Sequence, residues 1–161
     1  EKRKVAVGMT LAADADIVFL DEPTTGLDVE ARHIIWKLVR DIVTNGTTIL
    51  LTTHDMKEGE TIADTAVLIN HGETVNQNTP HNLIKTLPYQ YRVTVKKEGL
   101  NGAALPDIID LGDRLIIYAK SDRKLRDLMA CFSDLSSIIS VDKVGLEDAY
   151  LHLVNGGNVP K

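Results

Sequence analysis

The chain has 161 residues, 43% of them hydrophobic, and a formal net charge of −5. This is apolar content enough for a true core in one domain or two small ones, and the acidic balance offers no bulk basic field for nucleic acid. No apolar run approaches the ~20 residues that cross a bilayer, so any membrane link is expected through a partner.

Residues Lys4 to Ala13 place apolar side chains at Val5, Val7, Met9, Leu11 and Ala12, which predicts a short helix behind the basic triplet Lys2-Arg3-Lys4. Ile17 to Leu20 is short and wholly apolar, as in a strand of a parallel sheet buried on both faces. It ends abruptly in Asp21 and Glu22, followed by a proline, the turn Thr24-Thr25-Gly26, and then Leu27-Asp28. Residues 29–43 carry Ile34, Ile35, Leu38, Val39, Ile42 and Val43, a wide stripe at helical spacing. Asp28 is placed to cap that helix and Asn45-Gly46 to stop it. The sequon-like Asn45-Gly46-Thr47 reads as this turn. Thr48 to Thr53 is a second buried strand, running into His54 and Asp55. Strand, helix and strand make a βαβ unit.

Lys57 to Ala63 reads as a short helix. Ala66 to Ile69 and Glu73 to Asn76 flank Asn70-His71-Gly72, a hairpin signal. Thr79-Pro80 opens a helix to about Leu87, and Pro88 marks a boundary. Beyond it, Tyr91, Val93 and Val95 alternate with polar residues as in a strand. Leu100 to Gly112 reads as a connector, Arg114 to Lys120 as a strand, and Ser121 to Phe132 as a capped amphipathic helix. Cys131, the only cysteine, has no internal disulfide partner, which suits a reducing compartment, and is expected to pack beside Leu128 and Phe132. Ile138 to Val144 forms a last strand. Gly145 precedes a helix with Leu146, Ala149, Tyr150 and Leu153 on one face, and Asn155-Gly156-Gly157 ends it. Residues 89–154 thus form a small α+β unit, with residues 155–161 a tail.

Carboxylates leaving a buried strand need compensating partners, because an unpaired buried charge is costly. In open α/β sheets, ligands sit beyond the carboxyl ends of the strands. If the two strands pair as neighbours, Asp21-Glu22 and His54-Asp55 meet at one crevice, a geometry that suits phosphoryl transfer to water. Alone, an Asp-Glu pair before proline usually opens a loop, and a histidine after a Thr-rich strand usually sits on the surface. His33, His71, His81 and His152 are read that way, and Trp36 as packing on its helix. The case differs here because LDEPTTGLD and TTHD occur in order at two strand ends separated by one crossover helix.

This conjunction resembles the second half of an ATP-binding-cassette (ABC) ATPase domain. The resemblance implies a fold: the C-terminal part of an α/β P-loop NTPase domain of RecA-like, parallel-sheet type over residues 1–88, followed by the small α+β domain. It implies ATP and Mg²⁺ as cofactors, with Asp21 in the Walker B motif holding the metal. Glu22 would be the catalytic carboxylate that polarises water, and His54 the switch histidine at the γ-phosphate. Gly26-Leu27-Asp28 would form the D-loop at the nucleotide across a head-to-tail dimer of ATPase subunits. The P-loop pattern is absent, and no Gly-Lys pair occurs anywhere in the chain. The Leu-Ser-Gly-Gly signature is missing too, and Glu1 to Ala6 looks like what directly follows it. The chain is therefore expected to be a C-terminal fragment, inactive alone. Gly26 in the D-loop segment and the ending GLEDAYLHL (residues 145–153) resemble exporter-type subunits whose permease is a separate chain. The parent is thus expected at the cytoplasmic membrane face, bound to a transmembrane permease and not to nucleic acid. A soluble ABC ATPase without a permease, and a non-catalytic regulatory or dimerisation module, are the rival readings.

Overall fold

A computed structural model describes Gly8 and residues 15–97, 108–132 and 134–155. Apart from Gly8, the helix expected over Lys4 to Ala13 lies outside the described residues, as do most of the connector at 100–112 and the tail beyond Asn155. The chain divides into two compact units, Glu1–Ala63 and Asp64–Lys161.

In the first unit, strand β1 (Ile17–Asp21) leads through a tight turn into helix α1 (Val29–Thr44), then strand β2 (Thr48–Thr52) and helix α2 (Met56–Ile62). β1 and β2 are parallel, with Ile17 opposite Thr48 and Asp21 opposite Thr52. The crossover predicted from apolar spacing is therefore present, and both carboxyl ends point the same way. Asp28 caps α1 as expected: its Oδ1 accepts the Ala31 N–H at 2.7 Å. Asn45 and Gly46, the latter at φ +102°, close the other end. Val18 and Leu20 of β1 pack on Ile35 and Val39 of α1, with Ile42, Ile49 and Leu51 around them.

The expectation that these strands are buried on both faces is not met. Ile17 is 57% exposed, Phe19 71% and Leu50 58%. Side chains alternate across a strand, and among the described residues α1 covers only the Val18–Leu20 face. The wide stripe of α1 divides likewise: Ile35 and Val39 are buried, while Ile34, Leu38 and Val43 face outward.

In the second unit, β3 (Ala66–Asn70) and β4 (Glu73–Asn78) form the expected antiparallel hairpin. Its turn runs through His71 and Gly72, both at positive φ. Helix α3 (Pro80–Lys85) follows, capped by Thr79. Then β5 (Tyr91–Lys96), β6 (Ile108–Asp110), β7 (Arg114–Ala119) and β8 (Ile138–Lys143) make one antiparallel sheet in the order β6-β7-β5-β8. Val93 stands opposite Ile117 on one side and Val141 on the other. Helix α4 (Asp122–Ala130) lays Leu125 and Leu128 on this sheet, and Phe132 joins them over Val93, Val95, Leu115 and Ile117. Cys131 corrects its expectation. It caps the end of α4 and is exposed, just off the apolar face that Leu128 and Phe132 share. Helix α5 (Leu146–Val154) begins with Asp148 folded back on the Gly145 N–H at 2.8 Å. The buried Asp148 carboxylate also takes the Tyr118 hydroxyl at 2.7 Å and an Arg92 N–H at 3.3 Å. Burial and the bond to Asp148 push the Tyr118 phenol well above its ordinary pKa.

Candidate functional site

The two strand ends predicted to meet do so. The Glu22 N–H donates to the Thr52 carbonyl at 3.0 Å, extending the β1–β2 ladder by one bond. Just beyond it, the His54 Nδ1 lies 2.9 Å from Glu22 Oε1. The Thr52 hydroxyl, opposite Asp21 in the register, donates to the Asp21 carboxylate. Asp21, Glu22 and His54 therefore occupy one edge of the parallel pair. The site is open: the His54 side chain is 70% exposed and that of Glu22 40%.

Glu22 holds its place by an unusual backbone. Its φ is +44°, in the left-handed region that non-glycine residues avoid. The peptide turns sharply there, so the chain leaves the sheet at once and the Glu22 side chain stays at the edge. The Thr25 hydroxyl donates to Glu22 Oε2 at 3.0 Å. With His54 on one oxygen and Thr25 on the other, the carboxyl is held below its ordinary pKa; the His54 bond is the larger cause and the Thr25 bond the next. Glu22 is thus a carboxylate at neutral pH, with a histidine ring already on it. Strain of this kind gathers at functional positions.

The remaining predicted residues follow in the turn. Gly26 is exposed at φ +76°, Leu27 is half-buried against the β1–α1 core, and Asp28 caps α1. They lie in sequence after Glu22, in the turn that leads into α1. A magnesium ion needs only one or two carboxylates, completing its shell with water and phosphate oxygens. Asp21 and the Thr52 hydroxyl, hard oxygen donors at an exposed strand end, fit that requirement. Among the described residues no cluster of three or more His, Cys, Asp and Glu side chains stands ready to cage a metal.

Sequence reasoning missed the layer beneath. Glu58 of α2 is fully buried, and its Oε1 accepts both the Thr24 hydroxyl at 2.8 Å and the Trp36 indole N–H at 2.9 Å. Asp55 caps α2 through Lys57 and Glu58 N–H groups and pairs with Arg32 of α1 at 2.7 Å. A signal for Glu58 was available. It lies one turn before Ile62 on α2, so it shares the face that Ile62 turns to the core.

Residues 2–58 match a family model described as "AAA domain, putative AbiEii toxin, Type IV TA system". Among curated proteins, the "Nod factor export ATP-binding protein I" of Burkholderia orbicola is 42% identical over 131 residues, covering 81% of this chain and 40% of that protein. The protein of the same name from Burkholderia lata is 34% identical over 131 residues, with the same coverage. That from Ralstonia nicotianae is 46% identical over 83 residues, or 52% of this chain and 26% of its own. A solved "Structure of ATP binding subunit of ABC transporter" aligns with a TM-score of 0.41 and 27% identity over 44% of this chain and 30% of that one, too loose a match to carry an argument. The chain spans less than half the length of these curated relatives. No helix among the described residues is long and apolar enough to cross a membrane. With relatives named as ATP-binding proteins of an exporter over four-fifths of its length, the chain belongs to the ABC-type ATPases.

Proposed function

We propose that this chain supplies the water-activating half of the ATP site in an ABC exporter subunit. The observation that carries this reading is the Glu22–His54 contact at the carboxyl ends of two parallel strands. Glu22 is the residue that orients and deprotonates the attacking water, since its carboxylate is ionised and solvent-facing. His54, hydrogen-bonded to Glu22, keeps that carboxylate aimed and presents its other ring nitrogen to the γ-phosphate. Asp21, steadied by Thr52, holds Mg²⁺, which when bound neutralises phosphate charge. Gly26, Leu27 and Asp28 form the segment that reaches the nucleotide of a second ATPase subunit. Residues 1–88 belong to the ATPase domain and residues 89–154 to an accessory domain, although β3, β4 and α3 pack by contact with the latter. The parent works on the cytoplasmic face of the membrane and drives export through a separate permease.

Phosphate must be gripped by a loop that these residues do not contain. The test compares this chain with a longer polypeptide in which it follows a phosphate-binding loop and signature segment. Calorimetry of the chain alone with Mg·ATP should show nothing tighter than millimolar, and the longer polypeptide should turn ATP over. Micromolar binding by the chain alone, or no turnover by the longer polypeptide, overturns the reading.

A further inference from the structure

Glu58 is an odd residue to bury. It is 0% exposed, one carboxylate oxygen accepts two hydrogen bonds, and the other, Oε2, has no partner among the described residues. Burying such a group is costly, and a well-packed apolar side chain of similar size often serves stability as well or better. Stability alone therefore gives no reason for a carboxylate at this position.

Its two partners supply one. Thr24 is itself buried and lies in the turn directly after Glu22, where the Leu27 N–H closes on the Thr24 carbonyl at 3.1 Å. Trp36 lies in the middle of α1, and Glu58 lies four residues after His54. One oxygen thus joins three segments: the turn that carries Glu22, the helix behind it, and the helix that begins just past His54. The geometry points to Glu58 as a positioning residue that holds the Glu22 turn against the start of α2 and thereby sets the Glu22–His54 contact. The inference rests on the proposed ATPase site for its effect on turnover, but not for its effect on the contact.

Glu58 touches neither Glu22 nor His54. It acts through Thr24, two residues from Glu22, whose left-handed φ of +44° needs outside support. Without an acceptor at Oε1, Thr24 and Trp36 become buried donors lacking a partner, and the turn shifts to satisfy them. A misplacement of about 1 Å in a catalytic constellation can cost about 10²-fold in rate.

The test uses the longer, ATP-hydrolysing polypeptide with Glu58→Met, which keeps the bulk and removes the acceptor, and Glu58→Gln, which keeps the acceptor oxygen. Two readouts are taken: kcat and KM for Mg·ATP, and the imidazole nitrogen NMR signal of His54 referenced to Glu22→Gln. Glu58→Met should lose about 10²-fold in kcat with KM unchanged, and its His54 signal should move toward that of Glu22→Gln. Glu58→Gln should keep most of both. If Glu58→Met does not fold, Thr24→Val takes its place, with a smaller loss of the same kind. A folded Glu58→Met with wild-type kcat and His54 signal overturns the inference, as does equal damage from Met and Gln. If no variant, wild type included, turns ATP over while the His54 signal still moves with Met and not with Gln, the ATPase reading falls and the positioning role stands.

Discussion

Glycine at position 26 and glutamate at position 22 solve the same problem at different cost. Both sit at positive φ in one turn, and only glycine adopts that conformation freely. A Cβ on Gly26 would meet nothing within 4 Å, so its requirement is purely conformational. Gly26→Ala should therefore destabilise the chain by about 1–2 kcal/mol through backbone strain alone, read as a lower midpoint in urea with the slope unchanged. A neutral result would show that the turn relaxes to negative φ. Glu22 bears its strain with a side chain attached, held by the Thr52 carbonyl, the Thr25 hydroxyl and His54. The grouping of Asp21, Glu22 and His54 was legible in the sequence, since the acids and the histidine end apolar runs. The backbone strain was not, because glutamate gives no hint of a left-handed φ.

Elements were read well where one period dominates. β1, α1, β2 and the β3–β4 hairpin all stand where alternation, stripe and turn residues put them, within a residue or two. α2 forms as Met56–Ile62 despite Gly59 in its interior. What offsets that glycine is Asp55, whose Oδ1 accepts the Lys57 N–H at 3.0 Å and the Glu58 N–H at 3.3 Å, while Oδ2 pairs with Arg32. Asp55→Ala should cost about 1–2 kcal/mol by removing the cap, and Asp55→Asn, which keeps it, should recover most of that in chemical denaturation. Equal losses would assign the effect to the Arg32 pair instead. Strand β6 escaped the sequence because it is three residues beside a Gly- and Pro-containing stretch, and only pairing with β7 makes it a strand. Glu58 escaped because Lys57 and Glu60 beside it suggest a solvated stretch, although Ile62 one turn on marks its face as the inward one.

At the scale of the whole molecule, the outcome least expected from the sequence is an apolar face left open. The runs in β1 and β2 suit a strand covered on both sides, yet Ile17, Phe19 and Leu50 are exposed, and β2 pairs only with β1 among the described residues. An uncovered apolar strand edge invites pairing with another chain, and a contiguous apolar patch marks an association surface. The 161-residue chain should therefore self-associate at micromolar concentration in light scattering, and Phe19→Asp should reduce that without altering the second unit's sheet. A clean monomer with cooperative unfolding would contradict this.

In the proposed function Glu22, with His54 on its carboxylate, activates the water that attacks ATP. Turnover by the longer polypeptide carrying Glu22→Gln tests it most directly. The amide has the same shape and leaves phosphate and metal contacts alone, but it cannot take the water's proton. Mg·ATP binding should persist while kcat falls about 10²–10⁴-fold. Turnover close to wild type would remove Glu22 from the chemistry.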